Sequence, residues 1–212
     1  MSDTWLKMCG LKQPEAISLA VELGADAIGL VFYPPSSRAI AASDIGGILP
    51  EQMGKTRVVA LFVDPEREQV EEVLASDRID LLQFHGDESP DFCASFGLPY
   101  MKAAGVRDGT DVASIEQVFE EYAGAEFILL DAFDARDHGG TGHCFDWAQA
   151  ALLPAELKQR LILAGGLNPG NVVEAIHVVR PFGVDVSSGI ESEKGVKDLA
   201  KMRQFREGVR SA

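Results

Sequence analysis

Eight short apolar runs recur along the chain: Trp5–Cys9, Ala27–Phe32, Val58–Val63, Ile79–Phe84, Tyr100–Ala104, Phe127–Leu130, Leu161–Ala164 and Gly183–Val186. Between most of them lie stretches with helical spacing. Val70, Val73 and Leu74 fall at i, i+3, i+4. Ile115, Val118, Phe119 and Tyr122, and likewise Val172, Val173, Ile176 and Val179, draw stripes along one helical face. Strand candidates that alternate with helix candidates read as parallel βα units.

Two architectures accept such a count. Eight units fit within 212 residues as a closed barrel with short loops. An open, doubly wound sheet usually has fewer strands and shows a G-x-G-x-x-G turn after the first. Here the first run ends in Cys9-Gly10-Leu11-Lys12. No linker, charge block or composition shift divides the chain. The reading is therefore α/β: one (β/α)8 TIM-barrel domain spanning residues 1–212. A junction that recurs supports it. Asp26 follows Ile17 by nine residues, and Asp185 follows Ile176 by nine, each after Glu-Ala-Ile. Helix starts are expected at Asp64-Pro65, Ser89-Pro90 and Asn168-Pro169, where a capping side chain precedes proline at the first helical position. Gln13-Pro14 is the weak case, because Gln caps poorly.

Composition excludes partners. With 33 acids against 19 bases the net charge is −14, which repels nucleic acid and an anionic membrane surface. A small anionic ligand is still allowed, because a few bases and backbone N–H groups build a local positive site. Cys9, Cys93 and Cys144 are odd in number, widely spaced and without C-x-x-C. They fit a reducing cytoplasm. Asp3, Lys7, Lys12, Glu15 and Glu22 leave no apolar region for a signal peptide, and the run Ala27–Tyr33 is too short to span a bilayer.

In a barrel the chemistry gathers at the C-terminal strand ends. The polar groups there are Cys9-Gly10, Ser36-Ser37-Arg38, Asp64, His85-Gly86, Asp131, Gly165-Gly166 and Ser187-Ser188-Gly189, with Gly105 after the fifth strand. Residues two apart share a face of a strand, which pairs Lys7 with Cys9, Gln83 with His85, Leu129 with Asp131 and Asp185 with Ser187. If Cys9 faces the mouth, Lys7 faces the interior one layer below, and a buried lysine needs an acid. Which acid is left open.

Six motifs in order carry a family resemblance. Lys7-Met8-Cys9-Gly10 comes first, then Gly24-Ala25-Asp26-Ala27-Ile28-Gly29-Leu30-Val31-Phe32-Tyr33 running on to Ser37-Arg38. Leu82-Gln83-Phe84-His85-Gly86 follows. Leu129-Leu130-Asp131 precedes Gly139-Gly140-Thr141-Gly142 and Phe145-Asp146-Trp147. Leu163-Ala164-Gly165-Gly166-Leu167-Asn168-Pro169 leads to Gly183-Val184-Asp185-Val186-Ser187-Ser188-Gly189-Ile190-Glu191. Over nearly the whole chain this resembles the phosphoribosylanthranilate isomerases of tryptophan biosynthesis. Departures are Phe84 in place of Leu, Gly170 where an acid often follows Asn-Pro, and His143-Cys144 in place of Lys-Thr.

The resemblance implies an Amadori rearrangement of a phosphorylated small molecule, without cofactor or metal, by a monomer or homodimer. It makes Cys9 the general base and Asp131 the general acid. A base cysteine must be thiolate, so its pKa of about 8.5 is expected to be lowered by Lys7 or by helix N–H groups. An acid must hold its proton near neutrality, through burial or a nearby anion. Arg38 is expected on the anthranilate carboxylate, where a guanidinium fork fits. Asp185 is expected to hold a sugar hydroxyl or to orient the loop, and His85 to do likewise or to pack with its ring nitrogens satisfied. Gly165, Gly166, Ser187, Ser188 and Gly189 follow strands seven and eight, where barrels often hold phosphate, largely through backbone N–H groups. Gly140, Thr141 and Gly142 read as a lid loop. His138, His143 and Cys144 lack the spacing of a metal set. Two rivals are a phosphosugar epimerase, which needs a metal and gives Cys9 no role, and a barrel that binds without turnover.

Overall fold

The computed structural model describes residues 4–106, 110–132 and 147–212. Eight parallel strands close into one barrel in sequence order: β1 (Trp5–Cys9), β2 (Ala27–Val31), β3 (Arg57–Phe62), β4 (Leu81–Phe84), β5 (Tyr100–Val106), β6 (Phe127–Ala132), β7 (Leu161–Ala164) and β8 (Gly183–Val186). Around it run α1 (Pro14–Glu22), α2 (Ile45–Ile48), α3 (Arg67–Leu74), α4 (Pro90–Ala94), α5 (Val112–Glu121), α6 (Ala148–Ala151), α7 (Ala155–Lys158), α8 (Val172–Val179) and α9 (Leu199–Ser211). A short antiparallel pair, β9 (Glu191–Glu193) and β10 (Val196–Lys197), follows β8. No helix among the described residues is long and apolar enough to cross a membrane.

Side chains alternate between two cores. Outward-facing Leu6, Met8, Ile28, Leu30, Phe62 and Leu82 pack against helix stripes such as Val70, Ile115 and Ile176. Inward-facing Ala27, Val59, Leu81, Met101, Leu129 and Ile162 fill the barrel. Two cores of this kind are why the strands read as unbroken apolar runs. At the N-terminal end the rings of Trp5, Phe127 and Phe182 close the floor, with centroids 5.1–6.2 Å apart.

Three local expectations are corrected. Asp64 does not cap a helix. It takes φ +45°, and α3 starts after Glu66, whose backbone bonds Gln69 in a capping box. Asn168 likewise closes a turn on the N–H of Gly170, and α8 starts after Asn171. Ser89 is the cap expected, accepting from the N–H of Phe92 with Pro90 in the first turn. The repeated junction also fails as a structural repeat. Asp26 lies just before β2 and accepts from the N–H of Leu6 at the start of the neighbouring strand. Asp80 does the same for Val58, which also shortens β4 to start at Leu81. Asp185 is one residue deeper, inside its strand, and faces the barrel interior.

That interior position answers the open question about Lys7. Lys7 and Asp185 are register partners across the seam where β1 meets β8. Lys7 Nζ donates to Asp185 Oδ1 at 3.0 Å, with the lysine side chain fully buried. Burial alone would pull Lys7 down, but Asp185 and Cys9 outweigh it, so its pKa is raised and it stays an ammonium. Breaking such a pair from one side strands a buried charge. Asp185→Ala should therefore lose about 3–5 kcal/mol in urea unfolding, and adding Lys7→Met should recover most of the loss. A single variant as stable as the wild type would show that Lys7 finds another partner or water.

Candidate active site

The strand ends assemble two clusters at the C-terminal mouth. The first surrounds Cys9, the last residue of β1. Its side chain shares the inward face with Lys7, and the two need room. Gly29 on β2 provides it: a Cβ there would come within 2.7 Å of Cys9 Sγ and 3.2 Å of Lys7 Cε. Ser187, just past β8, donates its hydroxyl to the Cys9 carbonyl at 3.2 Å. The charged rim lies above. Arg38 forms a two-pronged ion pair with Glu191, Nε to Oε1 at 2.6 Å and Nη2 to Oε2 at 2.8 Å. Lys197 Nζ, fully buried, reaches Glu191 Oε1 and the Ser187 carbonyl, each at 2.9 Å.

These charges tune one another. Burial would raise Glu191, but hydrogen bonds from Arg38 and Lys197 outweigh it and hold its carboxyl below the usual range. Lys197 is drawn down by burial despite Glu191. The expectation for Cys9 is overturned: its pKa is raised, not lowered. The thiol is only 4% exposed, so burial penalises the thiolate. Lys7 and Lys197 oppose that penalty, while Asp185 adds to it. The ammonium that was to activate the thiol is shared with a carboxylate.

The second cluster crosses from β4 to β6. His85 Nε2 lies 3.2 Å from Asp131 Oδ2, and both side chains remain partly exposed at the mouth. Gln83 Nε2 lies 3.4 Å from His85 Nδ1. Outside the barrel wall, Glu88 fixes the loop that follows His85. It accepts from the N–H groups of Asp64 and Gly86 and pairs with buried Lys102 at 3.0 Å.

Most expected site residues therefore meet. Cys9, Arg38, Asp185 and Ser187 belong to the first cluster, His85 and Asp131 to the second. Among the described residues no ion pair or hydrogen bond joins the two. Asp185 is engaged by Lys7, and the Arg38 fork by Glu191, so neither waits unpaired for a ligand. Gly165 and Gly166 take left-handed turns after β7, with φ of +79° and +65°. Gly189 lies so close that a Cβ would come within 1.9 Å of the Leu167 carbonyl, which brings the turns after β7 and β8 into contact beside Ser188. Gly140, Thr141 and Gly142 lie outside the described residues, as do His138, His143 and Cys144. A separate cavity of about 560 Å³ opens at the opposite end, lined by Trp5, Lys158, Arg180 and Phe182 among others, and touches none of these groups.

Sequence reading missed Gln83 as a site residue, and also Glu88, Lys102, Glu191 and Lys197. Glu191 closes the last motif and lacked only a partner. Lys197 had no signal, because the short β9–β10 pair brings it back over the mouth.

Comparison with known proteins comes to the same place. Residues 6–208 match the family model for N-(5'-phosphoribosyl)anthranilate isomerase. The chain is 48% identical over 206 residues to a protein of that name from Nitrosomonas europaea, covering 97% of this chain and 95% of the relative. A phosphoribosyl anthranilate isomerase from Thermotoga maritima superposes with a TM-score of 0.84 at 35% identity, covering 99% of this chain and all of the other. A solved isomerase in complex with reduced 1-(o-carboxyphenylamino)-1-deoxyribulose 5-phosphate gives 0.80 at 34% identity, with the same coverage.

The raised Cys9 thiol has a direct test. In the ultraviolet difference titration of wild type minus Cys9→Ser, thiolate absorbance should grow with a midpoint above the ordinary cysteine range. A midpoint near neutrality would mean that Lys7 governs the thiol after all.

Proposed function

The chain belongs to the phosphoribosylanthranilate isomerase family, and from that premise we propose how its own residues carry out the reaction. The protein isomerises N-(5'-phosphoribosyl)anthranilate to 1-(o-carboxyphenylamino)-1-deoxyribulose 5-phosphate in tryptophan biosynthesis. It is an intramolecular oxidoreductase: C1 of the sugar is reduced and C2 oxidised within one molecule.

Asp131 donates a proton to the furanose ring oxygen. The C1–O bond breaks, and the anilino nitrogen supplies the electron pair that makes the C1=N iminium. Cys9 takes the proton from C2 through its thiolate, which burial makes the minor form of this thiol near neutrality. The C2–H electrons form the C1=C2 bond, and the iminium π electrons return to nitrogen, giving the enolamine. Loss of the C2 hydroxyl proton and gain of one at C1 complete the ketose. The observation that carries this reading is the separation of the two clusters at one mouth. A thiol beside an ammonium and a carboxyl beside an imidazole are held on different strands, so neither neutralises the other. A substrate between them meets an acid on one side and a base on the other.

Binding follows from the rim. The phosphate is placed at the turns after β7 and β8, on backbone N–H groups of Gly165, Gly166, Ser188 and Gly189. The Ser187 hydroxyl is committed to the Cys9 carbonyl, so Ser187 serves through its backbone. Arg38 takes the anthranilate carboxylate on the guanidinium edge that Glu191 leaves open, Asp185 meets a sugar hydroxyl through the oxygen not bonded to Lys7, and His85, its ring nitrogens facing Gln83 and Asp131, lies beside the sugar. The glycine loop at residues 140–142 is assigned as the lid by resemblance alone. The cytoplasmic setting, the single domain and the monomer or homodimer state belong to the same reading.

The test uses the fluorescence change on adding phosphoribosylanthranilate generated in situ. Cys9→Ser and Asp131→Asn should each lower kcat by about 10²–10⁴-fold, the range of a positioned acid or base, with smaller effects on affinity. Arg38→Ala should mainly raise KM. Near wild-type kcat in Cys9→Ser would remove the base assignment, and an unchanged KM in Arg38→Ala would leave the guanidinium a purely structural partner of Glu191. Tight binding of the reduced product analogue without turnover by the wild type would favour a binding role.

A further inference from the structure

Gln83 is fully buried on the inward face of β4, two residues before His85. Its neighbours in register are Leu61 and Met101. An amide among such side chains is costly unless it is hydrogen-bonded. Among the described residues Gln83 has one such contact, Nε2 to His85 Nδ1 at 3.4 Å, and its Oε1 has no partner. A hydrocarbon of similar size would fill the space without that penalty, so the amide itself is what the position requires.

The orientation of the amide has a physical ground. With Nε2 toward the ring, the unmet group is a carbonyl oxygen. Reversed, it would be a buried amino group with no acceptor, a rarer and costlier defect. An N–H donor facing Nδ1 requires a lone pair there, so the ring proton resides on Nε2. That nitrogen lies 3.2 Å from Asp131 Oδ2, within reach of a proton carried on it.

We propose that Gln83 is a positioning residue that locks His85 as the neutral Nε2–H tautomer, so that His85 donates to the carboxylate Asp131 leaves when it gives up its proton. The other tautomer would face that carboxylate with a lone pair and oppose the proton transfer. The catalytic consequence rests on the reading of Asp131 as the acid. The tautomer itself does not, and is measured without turnover.

The experiment is a long-range proton–nitrogen correlation spectrum of the histidine rings, with His85→Asn used to assign the signal, on wild type, Gln83→Leu and Gln83→Glu. Steady-state kinetics are run on the same samples. Wild-type His85 should show its proton on Nε2 and a bare Nδ1. Gln83→Leu should release the ring into a mixture of tautomers and lower kcat by about tenfold, below the full contribution of a positioned acid, with KM little changed. Gln83→Glu keeps the shape and, ionised, offers only acceptors, so at a pH where that carboxylate is ionised it should draw a proton onto Nδ1 and lower kcat at least as far. A wild-type ring protonated on Nδ1 would overturn the proposal, as would a folded Gln83→Leu enzyme with an unchanged tautomer or wild-type kcat. If Gln83→Leu does not fold, the wild-type and Gln83→Glu spectra decide. Undiminished kcat in Asp131→Asn would sink the acid assignment while leaving the tautomer to the spectrum.

Discussion

A lysine ammonium inside a closed barrel is the constraint around which the mouth is organised. Lys7 is fully buried, so the strand that completes the barrel must bring an anion. Asp185 does so from the register position directly opposite. The same ammonium lies under Cys9, and the space for both side chains exists because residue 29 has none. Closure of the barrel, the charge beneath the thiol and the identity of residue 29 are thus one requirement seen from three strands. The pairing also explains the thiol. Burial raises the Cys9 thiol, and a cation shared with a carboxylate offsets only part of that penalty.

Further ion pairs hold the loops. Glu191 binds Arg38 and Lys197 at once, tying the loop after β2 to the β9–β10 pair over the mouth. Glu88 and Lys102 sit behind the wall and fix the turn that follows His85. Burial makes each of these acids depend on its partners, since an unpaired buried charge costs several kcal/mol. These pairs brace the rim beside Arg38 and His85, the groups proposed to meet the substrate's carboxylate and sugar. Preorganisation of this kind lets modest acid–base groups act without reorganising at the moment of reaction.

Much of this was legible in the chain. The apolar runs located all eight strands, three of them to the residue: Trp5–Cys9, Leu161–Ala164 and Gly183–Val186. Such runs are readable because a parallel strand in a barrel is apolar on both faces. Strand parity placed Lys7 beneath Cys9 and Gln83 beneath His85. The helix starts were less legible. Proline marks where an element begins to turn, and at Pro65 and Pro169 an intervening turn delays the helix by about two or three residues. The spacing shared by Asp26 and Asp185 misled for a related reason. A shift of one residue in a strand moves a side chain to the other face, and spacing along a helix does not record that shift.

The sequence by itself determined the order of the elements, the closed barrel and the list of strand-end groups, because hydrophobic period and turn residues are local properties. The partners of those groups were decided only in three dimensions. Lys7 and Asp185 are 178 residues apart, Arg38 and Glu191 are 153 apart, and neither pairing leaves a local trace. The ionisation of Cys9 likewise belongs to the fold. It depends on how much water the closed barrel excludes and on which carboxylate shares the lysine, and both are set by strands from opposite ends of the chain.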